Sequence, residues 1–180
     1  MKTIDDILKK IILYKNKKKI VFLIGNTTKA ENNDFYCTPI RHYDQIIVAG
    51  VVVYSEKIAK EIAKIVDGIV DYIFVDAEKK ISNKFSLSGE PGNIERAVKE
   101  VVNKSPLISY KANDLTVEAV DAFLSEYHSK EKSGIGGKKI AIIGTGNLGS
   151  KLALKLVERG ATVYLYRRNK EKLDLTVKYI

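Results

Sequence analysis

Lys138-Lys139-Ile140-Ala141-Ile142-Ile143-Gly144-Thr145-Gly146-Asn147-Leu148-Gly149 reads as a buried strand running straight into a glycine turn. A helical stretch from Ser150 to Arg159 follows, Gly160 stops it, and Ala161 to Tyr166 is a second strand pattern. Strand, G-x-G-x-x-G turn, helix and strand, in that order, open a parallel β-α-β unit. Each glycine has a physical task there. Gly144 permits the tight turn out of the strand, Gly146 removes the side chain where backbone must approach a pyrophosphate, and Gly149 lets the helix lie close on the strand. The N-terminus of the helix offers free N–H groups and a positive dipole end to phosphates. Gly144, Thr145, Gly146, Asn147, Leu148 and Gly149 are therefore the expected dinucleotide-binding loop.

The second strand ends in Tyr166-Arg167-Arg168-Asn169-Lys170, and no acidic residue occurs between Gly160 and Lys170. An NAD site usually carries Asp or Glu there, to accept from the ribose 2′-hydroxyl. Guanidinium groups suit a 2′-phosphate instead, so Arg167 and Arg168 point to NADP as the cofactor, with NAD as the second choice. A helix is expected over Leu173 to Ile180. A complete dinucleotide domain has about six parallel strands. Residues 138–180 are thus expected to be the N-terminal part of a Rossmann domain, in a fragment of a longer protein.

Working toward the N-terminus, His128 to Gly137 (HSKEKSGIGG) is charged, glycine-rich and without apolar period, and reads as a linker. Upstream, strand patterns at Lys19 to Gly25, Gln45 to Tyr54, Val70 to Val75 and Leu107 to Tyr110 alternate with amphipathic stretches. Helices are expected over Ile4 to Tyr14, after Ser55 to Asp67-Gly68, from Pro91 through Val102, and from Thr116 to Tyr127. Asn26 to Asp44 and Asp76 to Gly92 read as polar loops. Alternation of this kind implies parallel β-α-β units on both sides of the linker. The expected fold class is α/β: a small α/β substrate domain over 1–127, a linker over 128–137, and the first half of a doubly wound parallel sheet over 138–180. Val21, Ile47, Val51, Ile73 and Ile108 should lie on buried strands of one largely parallel sheet.

The bulk properties narrow the class further. The chain has 180 residues, 45% of them hydrophobic and 29% charged, as in ordinary globular proteins. No apolar run is long enough to span a bilayer, and no signal-peptide pattern opens the chain. With a single cysteine, Cys37, no internal disulfide can form, and a cytoplasmic location is expected. The net charge is +9, yet the lysines are scattered and the densest basic runs are Lys17-Lys18-Lys19 and Arg167-Arg168. That pattern reads as a solvated surface, with a small-molecule substrate expected and neither a nucleic-acid nor a membrane partner. A homo-oligomer is also expected.

The segment Asn113-Asp114-Leu115-Thr116-Val117-Glu118-Ala119-Val120, the linker, and then GKKIAIIGTGNLG resembles the superfamily of methylene-tetrahydrofolate, methylene-tetrahydromethanopterin and shikimate dehydrogenases. The methylene-tetrahydromethanopterin branch looks closest, through Val66-Asp67-Gly68, Ile73-Phe74-Val75 and Ile94-Glu95-Arg96-Ala97-Val98. The resemblance implies an oxidoreductase of one-carbon metabolism, passing hydride between nicotinamide and a one-carbon pterin. A shikimate-dehydrogenase-like hydroxy-acid enzyme and a non-catalytic NADP(H)-binding module are the alternatives. The shikimate branch implies Asp114 as an acid/base partner, although Asn113 or Asp114 could equally cap the connecting helix. Lys111 is placed to position an anionic substrate, or else is simply exposed. The Tyr54–Lys57 spacing departs from the tyrosine–lysine pair of the folate enzymes. Asp71, Asp76 and Glu78 flank a strand end, where parallel sheets bind ligands. Cys37 and His42 lack the further ligands of a zinc site, so no metal is expected.

Overall fold

KIVFLIG and the apolar run that follows Gln45 form the centre of a six-stranded sheet, because strands covered on both faces need near-continuous apolar sequence. The computed structural model describes residues 3–28 and 34–180, which pack as two compact units, Met1–Lys111 and Ala112–Ile180.

The first unit runs α1 (Ile4–Ile12), β1 (Lys19–Asn26), β2 (Phe35–Cys37), β3 (Arg41–His42), β4 (Ile46–Val53), α2 (Glu56–Val66), β5 (Tyr72–Asp76), α3 (Ile94–Lys99) and β6 (Leu107–Tyr110). β4, β1, β5 and β6 lie side by side and parallel, while β2 and β3 run antiparallel along β4. The chain therefore steps from β1 to β4 on one side and crosses back over β1 to reach β5. Phe22, Ile24, Ile47, Ile73 and the α1 residues Ile7 and Ile11 are fully buried in one core. Burying each such side chain contributes about 1.5–3 kcal/mol.

Capping follows sequence. Thr3 and Asp6 form a reciprocal capping box on α1, and Ser55 Oγ accepts from the Ile58 N–H at 3.2 Å to start α2. Glu56, the first residue of α2, is buried, and its carboxylate accepts from the N–H groups of Leu87 (2.7 Å) and Asn93 (2.6 Å) and from Arg96 (3.3 Å). This one side chain anchors the long segment between β5 and α3, which holds a single 3-10 turn, Asn83–Phe85.

The second unit runs α4 (Ala112–Tyr127), β7 (Lys139–Ile143), α5 (Asn147–Glu158), β8 (Thr162–Tyr166) and α6 (Lys170–Tyr179). β7 and β8 pair in parallel, from Lys139 opposite Thr162 to Ile143 opposite Tyr166. Its buried cluster is small, formed by Ile135, Leu156 and Ala161.

The α/β class and the parallel strands match the reading of the sequence, and several boundaries differ from it. Val21, Ile47, Val51, Ile73 and Ile108 all lie on the parallel strands, but Ile108 is 39% exposed because β6 is an edge strand. The stretch from Asn26 to Asp44, read as loop, holds β2 and β3; residues 29–33 lie outside the described residues. Pro91 does not open α3; Asn93 caps it through the Arg96 N–H at 3.0 Å, and the helix is shorter than expected. α4 begins at Ala112 rather than Thr116, which places Asn113 and Asp114 inside its first turn.

The packed units divide between Lys111 and Ala112, ahead of the sequence-derived boundary at 127/128. α4 runs parallel to α5 and is tied to it by ion pairs, Asp114–Lys151, Glu118–Lys155 and Asp121–Arg159, the last at 2.7 Å. The 128–137 stretch is folded into turns, with Ile135 buried and the Gly137 N–H donating to the Gly160 carbonyl at 2.9 Å. Its glycines supply positive φ at turns (Gly134 at 54° and Gly137 at 73°), which composition alone does not distinguish from flexibility.

Candidate functional site

β7 delivers the chain to the glycine turn at its C-terminal end, as parallel sheets do for their ligand sites. Gly144 has φ +105°, a conformation that L side chains rarely adopt, and its N–H donates to the Tyr166 carbonyl at 2.9 Å. Gly146 is the N-cap of α5, which therefore starts earlier than Ser150 and carries Asn147, Leu148 and Gly149 in its first turn. Among the described residues no side chain caps this helix, which leaves its first N–H groups without a capping partner. A Cβ on Gly146 would meet nothing within 4 Å, whereas one on Gly149 would stand 2.1 Å from the Gly144 carbonyl oxygen. Protein packing thus demands glycine at 149, while the room at 146 lies on the open side of the loop, where a ligand would approach. Thr145 is fully buried, and its Oγ1 has no hydrogen-bond partner among the described residues.

The loop forms one wall of a cleft of ≈ 550 Å³ lined by Ile143, Gly144, Thr145, Gly146, Tyr166, Arg167, Arg168, Asn169 and Lys172. Arg167 is turned back onto the loop, its Nη1 donating to the Thr145 carbonyl at 2.8 Å. Arg168 is exposed beside it. Asn169 caps α6 by accepting from the Lys172 N–H at 2.9 Å, and so brings Lys172 to the cleft. The lining holds three cations and no carboxylate. The sequence reading did not include Lys172; its signal was the cap residue three positions earlier.

These residues fit a dinucleotide carrying an extra phosphate. The uncapped N–H groups of α5 and the space over Gly146 suit a pyrophosphate, and Arg168 and Lys172 suit a further phosphate at the end of β8.

Lys111 is exposed immediately after β6. Asp114 lies on α4, its carboxylate ion-paired to Lys151 of α5. In the first unit a separate polar cluster closes the C-terminal ends of β1, β5 and β6. Asp76 is buried and accepts from Lys80 Nζ at 3.0 Å, and Glu78 pairs with the same ammonium at 2.8 Å. Buried Asn26 fastens the segment, donating to the Glu78 carbonyl (2.9 Å) and accepting from the Lys80 N–H (3.1 Å). The two carboxylates hold the Lys80 ammonium above its ordinary pKa against the opposing effect of burial. Burial, with Asp76 and Glu78 nearby, pushes the Tyr110 phenol up to about 12. Asp76 and Glu78 come together here, whereas Asp71 lies at the opposite end of β5. Cys37 is on β2, and His42 packs edge-on against Tyr14 at 5.2 Å. Among the described residues no group of three or more His, Cys, Asp or Glu is placed to hold a metal ion, and no helix is long and apolar enough to cross a membrane.

Residues 139–180 match the family described as NADP oxidoreductase, coenzyme F420-dependent. A glutamyl-tRNA reductase from Thermosipho melanesiensis is 37% identical over 94 residues, 52% of this chain, and the chain spans 22% of that relative's length. Among solved structures, a dipicolinate synthase chain from Bacillus halodurans is 13% identical, with a TM-score of 0.31 over 89% of this chain and 66% of that one. A protein from Pyrococcus horikoshii is 16% identical, with a TM-score of 0.22 over 84% of this chain and 53% of that one. Residues 139–180 are thus similar to an NADP-oxidoreductase family, and the second unit has the strand, glycine turn, helix and parallel strand of a Rossmann segment.

Proposed function

We propose that this chain is part of an NADP-dependent oxidoreductase in which the second unit binds the adenosine half of the cofactor and the first unit contributes to the substrate site. The observation that carries this reading is the cleft at the glycine loop, with Arg168 just after β8, Lys172 in the first turn of α6 and no carboxylate in its lining. Bound there, NADP supplies or accepts the hydride; the chain's own residues orient it, the loop N–H groups on the pyrophosphate and the cations on the 2′-phosphate. The substrate we assign is a one-carbon pterin such as methylene-tetrahydromethanopterin or methylene-tetrahydrofolate. This rests on the sequence resemblance, and it agrees with chemistry in which a methylene carbon gives up hydride without a protein acid or base. Lys80, between Asp76 and Glu78 at the C-terminal edge of the first sheet, is the candidate substrate-facing cation.

A second reading rests on the 37% identity to a glutamyl-tRNA reductase. In it the same cofactor cleft serves the reduction of an acyl group. Titrating NADPH and NADH by intrinsic fluorescence tests the shared part of both readings. We expect NADPH to bind roughly ten- to hundred-fold tighter, the worth of one charge-assisted phosphate contact. Equal affinity for the two would remove NADP from the assignment. Steady-state assays with methylene pterins and with glutamyl-tRNA then separate the two substrates.

A further inference from the structure

The lysine run Lys17-Lys18-Lys19, with Lys15 two residues before it, lies in the turn that leads into β1. The turn between α1 and β1 is closed by the N–H groups of Lys17 and Lys18 donating to the Tyr14 carbonyl at 2.9 and 3.0 Å, with Asn16 at φ 77°. Lys15, Lys17, Lys18 and Lys19 then line one recess of ≈ 340 Å³ together with Asn16, Gln45 and Asp71. The facing wall is the β3–β4 turn. The Lys19 N–H donates to the Gln45 carbonyl at 2.9 Å, and Lys18 Nζ to the Tyr43 carbonyl at 2.5 Å. Asp71 is the one carboxylate in the lining, and it is already engaged by the Ile20 N–H at 2.8 Å and Lys19 Nζ at 3.3 Å. Lys15 and Lys17 are exposed and form no salt bridge among the described residues, and Lys18 donates to an uncharged oxygen. Like charges are thus held around a concave surface with too little local acid to neutralise them.

We propose that this recess is a binding surface for the phosphate backbone of a nucleic acid. Ammonium groups are hydrated point charges on flexible stems, suited to a string of phosphates and not to reading base edges. A pocket for one small anion would need buried, converging donors, and these lysines are mostly exposed. A bilayer would need a flat or protruding face, and this one is recessed. Exposed Ile12 and Leu13 stand next in the chain, so a lipid surface is tested directly. The recess sits at the N-terminal edge of the first sheet, where β1, β4 and β5 begin. It belongs to a different unit from the glycine cleft and does not depend on the oxidoreductase reading.

The test measures binding of the full chain to a fluorescein-labelled oligoribonucleotide of mixed sequence by anisotropy across a salt series. One variant carries Lys15→Glu, Lys17→Glu and Lys18→Glu. A control carries the same charge change elsewhere, Lys57→Glu, Lys64→Glu and Lys130→Glu. A milder triple, Lys15→Gln, Lys17→Gln and Lys18→Gln, keeps the question answerable if charge reversal disturbs folding, and circular dichroism checks each protein. The recess triples should lose at least about ten-fold in affinity at low salt. They should also flatten the plot of log K against log salt by about 2, since a single strand releases about 0.7 counterion per contact. The control should keep most of both. Equal losses in the recess and control triples would mean net charge alone and overturn the proposal. So would lysine-dependent binding to phosphatidylcholine–phosphatidylserine vesicles in place of RNA, or saturation by pyrophosphate with no RNA binding.

Discussion

At Gly146 an added Cβ finds no heavy atom within 4 Å, and at Gly149 it would lie 2.1 Å from a backbone oxygen. The two glycines of one motif should therefore fail differently. Gly146→Val should keep the thermal midpoint of the wild type and lose NADPH binding. Gly149→Ala should lose binding and also about 1–3 kcal/mol of stability in the second unit, because α5 must lift off the turn. Paired thermal melts and cofactor titrations distinguish them, and a midpoint loss in Gly146→Val equal to that of Gly149→Ala would contradict this division.

The two arginines divide in the same way. Arg167 braces the Thr145 carbonyl, while Arg168 is exposed at the cleft. Arg168→Gln should cost NADPH about ten- to hundred-fold and leave NADH untouched. Arg167→Gln should weaken both cofactors, because it loosens the loop that both would share. Titration of each variant with each cofactor shows whether the selector is one residue or the pair.

Among elements, β1 and β5 are fastened at their N-terminal ends by Asp71. The Ile20 N–H, joined by Lys19, holds its carboxyl below the usual carboxylate range in spite of partial burial. The sign follows from proton linkage. A carboxyl with a depressed folded pKa stabilises the fold at pH values above its unfolded pKa of about 3.9, and that contribution is lost as pH falls through the folded value. Asp71→Asn should thus lower the urea midpoint near neutral pH and show a shallower loss of stability below about pH 4 than the wild type. Parallel acid slopes in the two proteins would show that Asp71 does not contribute. The α4–α5 tie has the same logic of spacing. Asp114, Glu118 and Asp121 meet Lys151, Lys155 and Arg159, one helical turn apart on each side. That repeat was present in the sequence, but its meaning depended on the helices running parallel, which sequence does not state.

For the whole molecule, the two units bury very different cores. The first surrounds a six-stranded sheet with a broad apolar cluster, and the second rests on Ile135, Leu156 and Ala161 beneath two strands. Ile143, Tyr164, Tyr166 and Tyr179 remain more than half exposed in the second unit. Native-state hydrogen exchange should therefore find the amides of β1 and β4 protected to the global stability, and those of β7 and β8 opening at lower free energy. Saturating NADPH should raise protection in β7 and α5 by about 2.7 kcal/mol at a hundred times Kd, and leave β1 unchanged. Equal protection in both units without cofactor would argue against this difference in stability.

Periodicity and glycine chemistry determined much of this protein from sequence alone. The parallel strands, most of the helices, and the turn at Gly144 to Gly149 depend on neighbours a few residues apart, where side-chain spacing and φ preference act directly. Tertiary structure decided what depends on distant partners. It made α4 part of the second unit through ion pairs to α5, and it paired β2 and β3 with β4 out of a polar stretch without an apolar period. It turned Arg167 onto Thr145, brought Lys172 to the cleft, and closed Asp76, Glu78 and Lys80 over the sheet edge. It also set Gln45 and Asp71 beside the Lys15 to Lys19 turn to form one recess. Charges and edge strands take their partners from across the fold, and a linear pattern carries no record of which surfaces the core will bring together.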